Sequence, residues 1–259
     1  MKGIIDALAA GQLQDAIDQA QSLVKEDPAN LDLRAKLIEL LCLDGQLERA
    51  DDSLASLVKR QPEWLGGAAN LRQLLRAQQA RVAFHQGQLA DDVVAAPGEA
   101  LEALVDLKAK LFAGDVEGAT KAAERLEATR GGDGPFAEVR DCDDSLGPYL
   151  ECLGTDGKFY LWRFDEIAAI QLHGATSPIE TIWRRAQVIL NDGREGEVFI
   201  PLTYAASSDS RQKLGRETDW QEQGQLVTGL GLKLFLVGDE AMTLLELATS
   251  DIAETSHAG

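Results

Sequence analysis

The sequence predicts an α+β protein in which irregular α-helical repeats are followed by a smaller, mainly antiparallel β-rich part. Three observations support this prediction. Residues 8–28 and 42–62 match each other at a fixed spacing of 34 residues. Residues 131–135, GGDGP, contain three glycines and a proline, a composition typical of a boundary. Beyond them, short runs of aromatic and β-branched residues alternate with polar residues, as in half-buried strands.

The repeat is carried by positions that hold the same residue type in both segments. These positions are Gly11/Gly45, Gln12/Gln46, Leu13/Leu47, Ala16/Ala50, Leu23/Leu57, Val24/Val58 and Pro28/Pro62. A period of 34 residues, with Gly at the inter-helix turn, Ala on the second helix and Pro after it, is typical of tetratricopeptide (TPR) repeats. Residues 3–60 are therefore predicted to form four helices. Stacked hairpins of this kind present a concave surface that usually binds a segment of another protein.

The repeat pattern continues less regularly toward the boundary. Residues 67–86 predict a longer helix, and residues 87–98 interrupt the period with Pro97-Gly98. Residues 99–113 and 115–128 then predict another helical hairpin, out of phase with the first two. We therefore expect two domains, a TPR-like helical domain over 1–130 and a β-rich α+β domain over 136–259.

The second part contains four strand-like runs. They lie at residues 158–164, 185–191, 197–204 and 232–238. Asn191-Asp192-Gly193 joins two of these runs, which predicts a β-hairpin, and Thr155-Asp156-Gly157 predicts a second turn. Long crossover segments between strands are absent, so the sheet is predicted to be antiparallel.

Composition excludes several classes of function. The net charge is −18, which opposes binding to nucleic acid or to anionic membranes. No run of about 18 apolar residues exists, so no membrane span is expected. Three cysteines (Cys42, Cys142 and Cys152) have neither metal-site spacing nor an even count, and a reducing cytoplasm suits them best.

The candidate catalytic groups are three aspartates in RDCDDSLGPYLE. Asp141, Asp143 and Asp144 could perform acid–base or metal chemistry, or they could form a turn that is ion-paired with Arg140. The second interpretation is favoured, because no metal-ligand spacing is visible and no histidine lies nearby. Histidine occurs only at positions 85, 173 and 257. We therefore expect no enzymatic activity, no metal and no cofactor.

The segment LGRETDW, residues 214–220, is the most unusual local run. Arg216, Asp219 and Trp220 could form a buried ion pair covered by the indole, or they could contact a partner, since Arg and Trp dominate interface hot spots. The structural interpretation is favoured. The run Trp183-Arg184-Arg185 poses the same choice.

Taken together, the second-half segments resemble the ImpE family, also called SciE or TagJ, accessory proteins of bacterial type VI secretion. The segments that carry the resemblance are RDCDDSLGPYLE (140–151), GKFYLWRFDEIAAI (157–170), IETIWRRAQVILNDGREGEVFIPLTY (179–204) and LGRETDW (214–220). One departure is Arg185, where relatives often have proline. The family-motif residues, which we interpret as structural, are Arg140, Asp141, Asp143, Asp144, Trp162, Trp183, Arg184, Arg216, Thr218, Asp219 and Trp220.

The resemblance implies a cytoplasmic, non-enzymatic accessory protein. Its implied partners are the N-terminal helix of the small subunit of the contractile sheath and a ClpV-type AAA+ ATPase that recycles the sheath. Two alternatives remain: a general TPR protein-interaction module, and a metal-dependent enzyme that uses the Asp-rich segment 140–144. Nothing in the sequence indicates the oligomeric state.

The TPR register places the first helix of each hairpin on the concave face. The candidate groove residues are then Ile5, Leu8, Ala35, Glu39, Cys42, Leu104, Lys108 and Leu111. This lining suits an amphipathic helix laid in an apolar groove. The other interpretations are that these positions pack against the next helix, or that the second domain holds the groove.

Overall fold

A computed structural model describes residues 2–249 of the 259-residue chain; His257 and the end of the predicted second domain lie outside them. The first half is helical, with a 3-10 turn at Pro62–Trp64 and one short strand. Its elements are α1 (Lys2–Ala9), α2 (Leu13–Glu26), α3 (Leu31–Leu43), α4 (Leu47–Arg60), α5 (Leu65–His85), β1 (Val93–Ala95), α6 (Glu99–Ala113) and α7 (Val116–Ala128).

The two matching segments form two helical hairpins, α1–α2 and α3–α4, so the prediction of four helices over residues 3–60 is confirmed. Gly11 and Gly45 occupy equivalent turns with φ of 77° and 80°, a conformation that favours glycine. Both second helices end one residue before the dipeptides Asp27-Pro28 and Gln61-Pro62. The 34-residue period therefore reports a repeated unit of structure.

The second half contains most of the strands. They are β2 (Val139–Asp141), β3 (Tyr149–Gly154), β4 (Phe159–Arg163), β5 (Ile167–Leu172), β6 (Trp183–Leu190), β7 (Glu195–Pro201), β8 (Thr218–Gln223), β9 (Leu226–Gly231), β10 (Phe235–Val237) and β11 (Glu240–Met242). Up to residue 249, this half also contains two short helices, α8 (Ser210–Lys213) and α9 (Leu244–Leu247), and two 3-10 turns, Phe164–Glu166 and Ile179–Thr181.

These strands form three sheets. The largest has the order β1-β4-β3-β7-β6-β5, and the smaller ones are β11-β10-β2 and β8-β9. Every pair of neighbours is antiparallel except β1 and β4, so the predicted mainly antiparallel sheet is confirmed. The Asn191–Gly193 turn joins β6 to β7 as predicted, with Gly193 at φ 85°.

Strand β1 is an element that the sequence pattern did not predict. It lies in the segment that interrupts the helical period, and Val93–Ala95 pairs in parallel with Phe159–Leu161 of β4. Only three residues form it, and its partner strand lies more than 60 residues later in the chain. The first half thus supplies an edge strand to the sheet of the second half.

The large sheet lies between the helices and the three-stranded β11-β10-β2 sheet. One face, which includes Tyr149, Leu153 and Phe159, shares a hydrophobic core with the helices. The other face, which includes Leu150 and Cys152, packs on a second core with the β2–β10–β11 sheet and α9. The helices α2, α3, α5 and α7 all contact elements of the second half.

The expected domain boundary falls in the segment between α7 and β2, which is Thr129 to Glu138. This segment is held at its start, because the Arg163 guanidinium donates to the Thr129 carbonyl at 2.7 Å. Division into domains over 1–130 and 136–259 stays a prediction. Among residues 2–249, no helix is both long enough and apolar enough to cross a membrane.

Candidate functional site

An open apolar groove lies on the second helical repeat and is the first candidate site. It has a volume of about 310 Å³ and is bounded by α3, α4 and the start of α5. The residues that line it are Ala35, Ile38, Glu39, Leu54, Leu57, Glu63, Trp64, Gly67, Ala68 and Leu71. Its floor is aliphatic, Trp64 is half-buried in its wall, and its charged side chains are carboxylates. These properties suit the apolar face of a helix with basic flanking residues.

The predicted groove residues are distributed over several parts of the structure. Ala35 and Glu39 line the groove on α3. Ile5 is 62% exposed on α1, while Leu8 and Leu111 are half-buried beside the helical core.

Three of the predicted groove residues are buried: Cys42, Leu104 and Lys108 are each at most 2% exposed. They do not line an open surface, because Cys42 and Leu104 lie in the hydrophobic core and the Lys108 ammonium reaches Ser145 in the second half. Burial also raises the pKa of the Cys42 thiol to about 12.

A buried network of charged side chains is the second candidate site, and it joins the helices to the sheet. Arg81 and His85 come from α5, Lys108 from α6, Glu151 from β3, and Lys233 from the segment before β10. Four of the five are at most 3% exposed, and His85 is 17% exposed at its side chain. Charges this deeply buried are normally paired and hydrogen-bonded.

Glu151 is the centre of this network. Its Oε1 accepts from Arg81 Nε at 2.9 Å and lies 2.7 Å from His85 Nε2. Its Oε2 accepts from Arg81 Nη2 and from Lys233 Nζ, both at 2.8 Å. Burial alone would raise the pKa of Glu151, but the neighbouring Arg81 and Lys233 charges hold it well below its usual range. The carboxylate is therefore ionised at neutral pH.

His85 is held as a neutral imidazole. Its Nδ1 lies 3.1 Å from Lys108 Nζ, which donates, so the ring proton is placed on Nε2, facing Glu151. Burial, together with the nearby Lys108 charge, lowers the pKa of His85 to about 4. Burial also lowers the pKa of Lys108 to about 8, and its Nζ donates to Ser145 Oγ at 2.8 Å.

The three candidate aspartates accept hydrogen bonds from the protein itself. Asp141 accepts from Lys233 Nζ at 2.8 Å and from the Tyr204 hydroxyl at 3.0 Å. Asp143 accepts from the backbone N–H groups of Ser145 and Gly229. Among residues 2–249, no group of histidine, cysteine and carboxylate side chains could hold a metal ion. These carboxylates connect the β2–β3 loop to the strands around it.

Asp144 forms the ion pair that the sequence suggested. It accepts from Arg140 Nη2 at 2.7 Å, and its other oxygen accepts from Val227 N–H at 2.8 Å. Arg140 also contacts Glu127 on α7 at 3.6 Å. The Arg140–Asp144 pair therefore contacts both the helical part and β9.

The expected buried ion pair in LGRETDW is not formed. Arg216 and Asp219 are both exposed, and Asp219 accepts from the N–H of Trp220. Trp220 is 37% exposed and lies against Tyr204, with ring centroids 5.9 Å apart. Thr218 donates to the Leu232 carbonyl at 2.8 Å. Thr218 to Trp220 begin strand β8 of an exposed β-hairpin, and the side chains of Arg216 and Asp219 remain in solvent.

The remaining motif residues lie in the large sheet. Trp183 is 2% exposed and belongs to the helix-facing core. Arg184 donates to the carbonyl of Glu180 at 3.1 Å. Trp162 is half-buried on the opposite face, beside Tyr160 at 5.2 Å between ring centroids. All three contribute to packing.

Comparison with known proteins agrees with this architecture. The sequence pattern of the ImpE protein family matches residues 133–251, which contain the Asp-rich loop and the LGRETDW hairpin. A curated relative is the type VI secretion system accessory component TagJ of Pseudomonas aeruginosa. It is 26% identical, and the match covers 96% of this chain and 91% of TagJ. The chain belongs to the ImpE family. A tetratricopeptide repeat pattern matches residues 7–77 of this ImpE protein.

A crystal structure of a relative has the same fold. Protein VPA1032 from Vibrio parahaemolyticus is 37% identical and covers 94% of both chains, with a TM-score of 0.89. Similarity over this length includes the helices as well as the sheet. The helical repeats and the ImpE region therefore occur together in one architecture.

Sequence reasoning missed the central residues of the ImpE network, which are Arg81, His85, Glu151 and Lys233. A signal for them was present. Glu151 replaces an apolar residue in the strand YLECLG, in which all six residues are buried. Lys233 likewise interrupts the apolar run GLKLFLV. A charged residue inside a run that is otherwise core-forming indicates a buried pair, although the partner cannot be read from the run.

We expect Asp144→Ala to destabilise the protein, since it leaves Arg140 and the Val227 N–H without their acceptor. Loss of a partly buried charged hydrogen bond costs about 1.5–3 kcal/mol. Arg216→Ala should change the free energy of unfolding by less than about 0.5 kcal/mol, because its side chain is exposed. Urea unfolding of the two variants measures both values. Equal destabilisation by both would contradict the assignment of the ion pair.

Proposed function

We propose that this ImpE protein is a cytoplasmic accessory component of a type VI secretion system that acts by binding a helical segment of another component, without catalytic turnover. The observation that carries the proposal is the apolar groove on the second TPR-like repeat. Membership of the ImpE family and similarity to TagJ supply the secretion system. The proposed ligand is the N-terminal helix of the sheath small subunit, with a segment of the ClpV-type ATPase as the second candidate partner.

The groove favours an amphipathic helix with an apolar face. Ile38, Leu54 and Leu57 form a buried aliphatic floor, and small residues at Ala35 and Gly67 allow close approach of a helix. Trp64 offers an aromatic surface of the kind that dominates binding hot spots. Glu63 at the edge attracts basic flanking residues and repels acidic ones, while Glu39 is already paired with Lys36 at 3.2 Å.

A peptide titration tests the proposal. A peptide with the sequence of the sheath subunit's N-terminal helix should bind one site with a Kd of roughly micromolar size, as expected for a transient helix-in-groove contact. Ala35→Glu should weaken binding at least tenfold, because it places a carboxylate where the apolar face would lie. Calorimetry with each protein variant gives the affinity, and circular dichroism shows that the variant is folded.

Ala55→Glu is the matched control, since it makes the same change on α4, outside the groove lining. It should bind the peptide like the unmodified protein. Normal binding by a folded Ala35→Glu variant would move the site away from this groove. If neither sheath nor ATPase segments bind the intact protein, the adaptor proposal itself is wrong.

A further inference from the structure

A second pocket lies where β1 leads into α6, far along the chain from the groove-forming helices. It has a volume of about 290 Å³. Its lining consists of Ala96, Pro97, Gly98, Glu99, Ala100, Ala128, Thr129, Tyr149 and Arg163. The parallel strands β1 and β4 both end at this pocket, since Ala96 follows β1 and Arg163 is the last residue of β4. The arrangement is therefore a strand, a tight turn and a helix, with the N-terminus of the helix at the pocket.

The N-terminus of α6 presents unpaired hydrogen-bond donors. The helix has 15 residues, and no side chain caps its first turn. Glu102 is the first residue whose N–H bonds back, to the Gly98 carbonyl at 3.1 Å. Gly98 itself has φ 151°, which favours glycine, and a Cβ there would meet no neighbouring atom. The free N–H groups and the helix dipole together attract anions.

Tyr149 gives independent evidence for a ligand. The residue is 1% exposed and lines this pocket, yet no group among residues 2–249 hydrogen-bonds to its hydroxyl. Buried polar groups in folded proteins nearly always have a partner. Burial raises the pKa of Tyr149 to about 12, so the hydroxyl is protonated at neutral pH and can donate. The hydroxyl is therefore a donor at the pocket with no partner among residues 2–249.

Arg163 supplies a third donor. Its Nε and Nη2 are engaged by the Asp165 carboxylate at 2.8 and 2.7 Å, and Nη2 also donates to the Thr129 carbonyl. Its Nη1 has no partner within the described part of the chain. The ion pair with Asp165 holds the guanidinium of this pocket-lining residue in place and leaves its Nη1 free to donate.

From these three donors we infer that the pocket binds the carboxylate group of a small organic acid. A planar carboxylate can accept from the α6 N–H groups, from the Tyr149 hydroxyl and from Arg163 Nη1. A doubly charged phosphate suits the pocket less well, because Asp165 already balances Arg163, Glu99 lies at the rim and the protein carries a net charge of −18. This site is independent of the proposed helix groove.

Nuclear magnetic resonance with acetate as the probe tests this inference on the full chain. We expect acetate to bind with a Kd of roughly millimolar size. At constant ionic strength, the backbone amide resonances of Glu99, Ala100 and Leu101 should shift as acetate is added and reach a plateau at about ten times that Kd. Tyr149→Phe removes one donor to a charged acceptor and should weaken binding about tenfold. It should leave the unfolding free energy nearly unchanged, since the hydroxyl has no partner to lose. Glu99→Gln should strengthen binding by removing a repulsive charge.

Tyr160→Phe is the matched control, because it removes a hydroxyl from β4 that pairs with Asp156, outside this pocket. It should bind acetate like the unmodified protein. Absence of saturable shifts at the α6 amides, or undiminished binding by Tyr149→Phe, would overturn the inference. Tighter binding of inorganic phosphate than of acetate would overturn the assignment of a carboxylate.

Discussion

Glu151→Gln should destabilise the protein by about 3–5 kcal/mol, the typical cost of removing one partner from a buried ion pair. Glu151 receives four charged or polar contacts, from Arg81 twice, His85 and Lys233, all within 2.9 Å. An amide at this position keeps one acceptor and places an NH₂ group against donors that already need acceptors. The remaining Arg81 and Lys233 charges are then buried with too little compensation. Chemical unfolding at pH 7 measures the difference.

Glu197→Gln is the matched control for this prediction. Glu197 is exposed on β7 and lies 3.5 Å from Arg185 in a solvent-exposed pair. Such pairs contribute between zero and about 1 kcal/mol, so this variant should unfold nearly like the unmodified protein. A similarly small effect of Glu151→Gln would show that water or a structural rearrangement compensates the buried cations, and the network would lose its assigned role.

The network also explains how the helices are attached to the sheet. Arg81 donates to Glu151 of β3 and to the Thr203 carbonyl, and Lys108 donates to Ser145 before β3. Together with β1, which pairs with β4, these contacts fix the helical array on the β-rich half. A substitution of Glu151 should therefore destabilise both halves, and the two halves should unfold in a single transition. Circular dichroism at helix and aromatic wavelengths should report coincident unfolding.

Local features of the fold were predictable from the sequence, because each depends on neighbouring residues. Gly11 and Gly45 permit the positive φ of the inter-helix turns, and the 34-residue spacing reports the hairpin length. Asn191–Gly193 specifies the turn between β6 and β7. Burial of Leu13 and Ala16 follows from their helical spacing.

Long-range features were not predictable by the same reasoning. Arg81 pairs with Glu151 and Asp141 pairs with Lys233, in each case at least 70 residues away. A pattern of apolar residues also treats a charged side chain as exposed, so these residues were passed over. The repeat register placed Lys108 on an open face, whereas packing of the second half covers it. The register identifies the face of a helix but not the element that covers it.

Acidification should destabilise the protein between about pH 6.5 and pH 4, through His85. Burial and Lys108 lower the pKa of His85 from 6.5 to about 4 in the folded protein. In the unfolded chain the imidazole binds its proton below about pH 6.5. Between these two pH values the unfolded state binds more protons than the folded state. The contribution of neutral His85 to the free energy of unfolding is therefore fully present above pH 6.5 and is lost as the pH falls toward 4. A shift of this size corresponds to about 3 kcal/mol.

The physical reason is the pair of neighbours that face His85. Lys108 Nζ donates to Nδ1, and protonation of that nitrogen would place two cationic donors 3.1 Å apart. His85→Gln removes the titration, while its amide can still donate to Glu151, so the loss of stability across this window should be smaller than in the unmodified protein. His173→Gln is the matched control, because it replaces a histidine on a loop after β5, outside the network. Thermal melts from pH 7 to pH 4.5 compare the three proteins, and identical pH profiles for His85→Gln and the unmodified protein would exclude His85 as the titrating group.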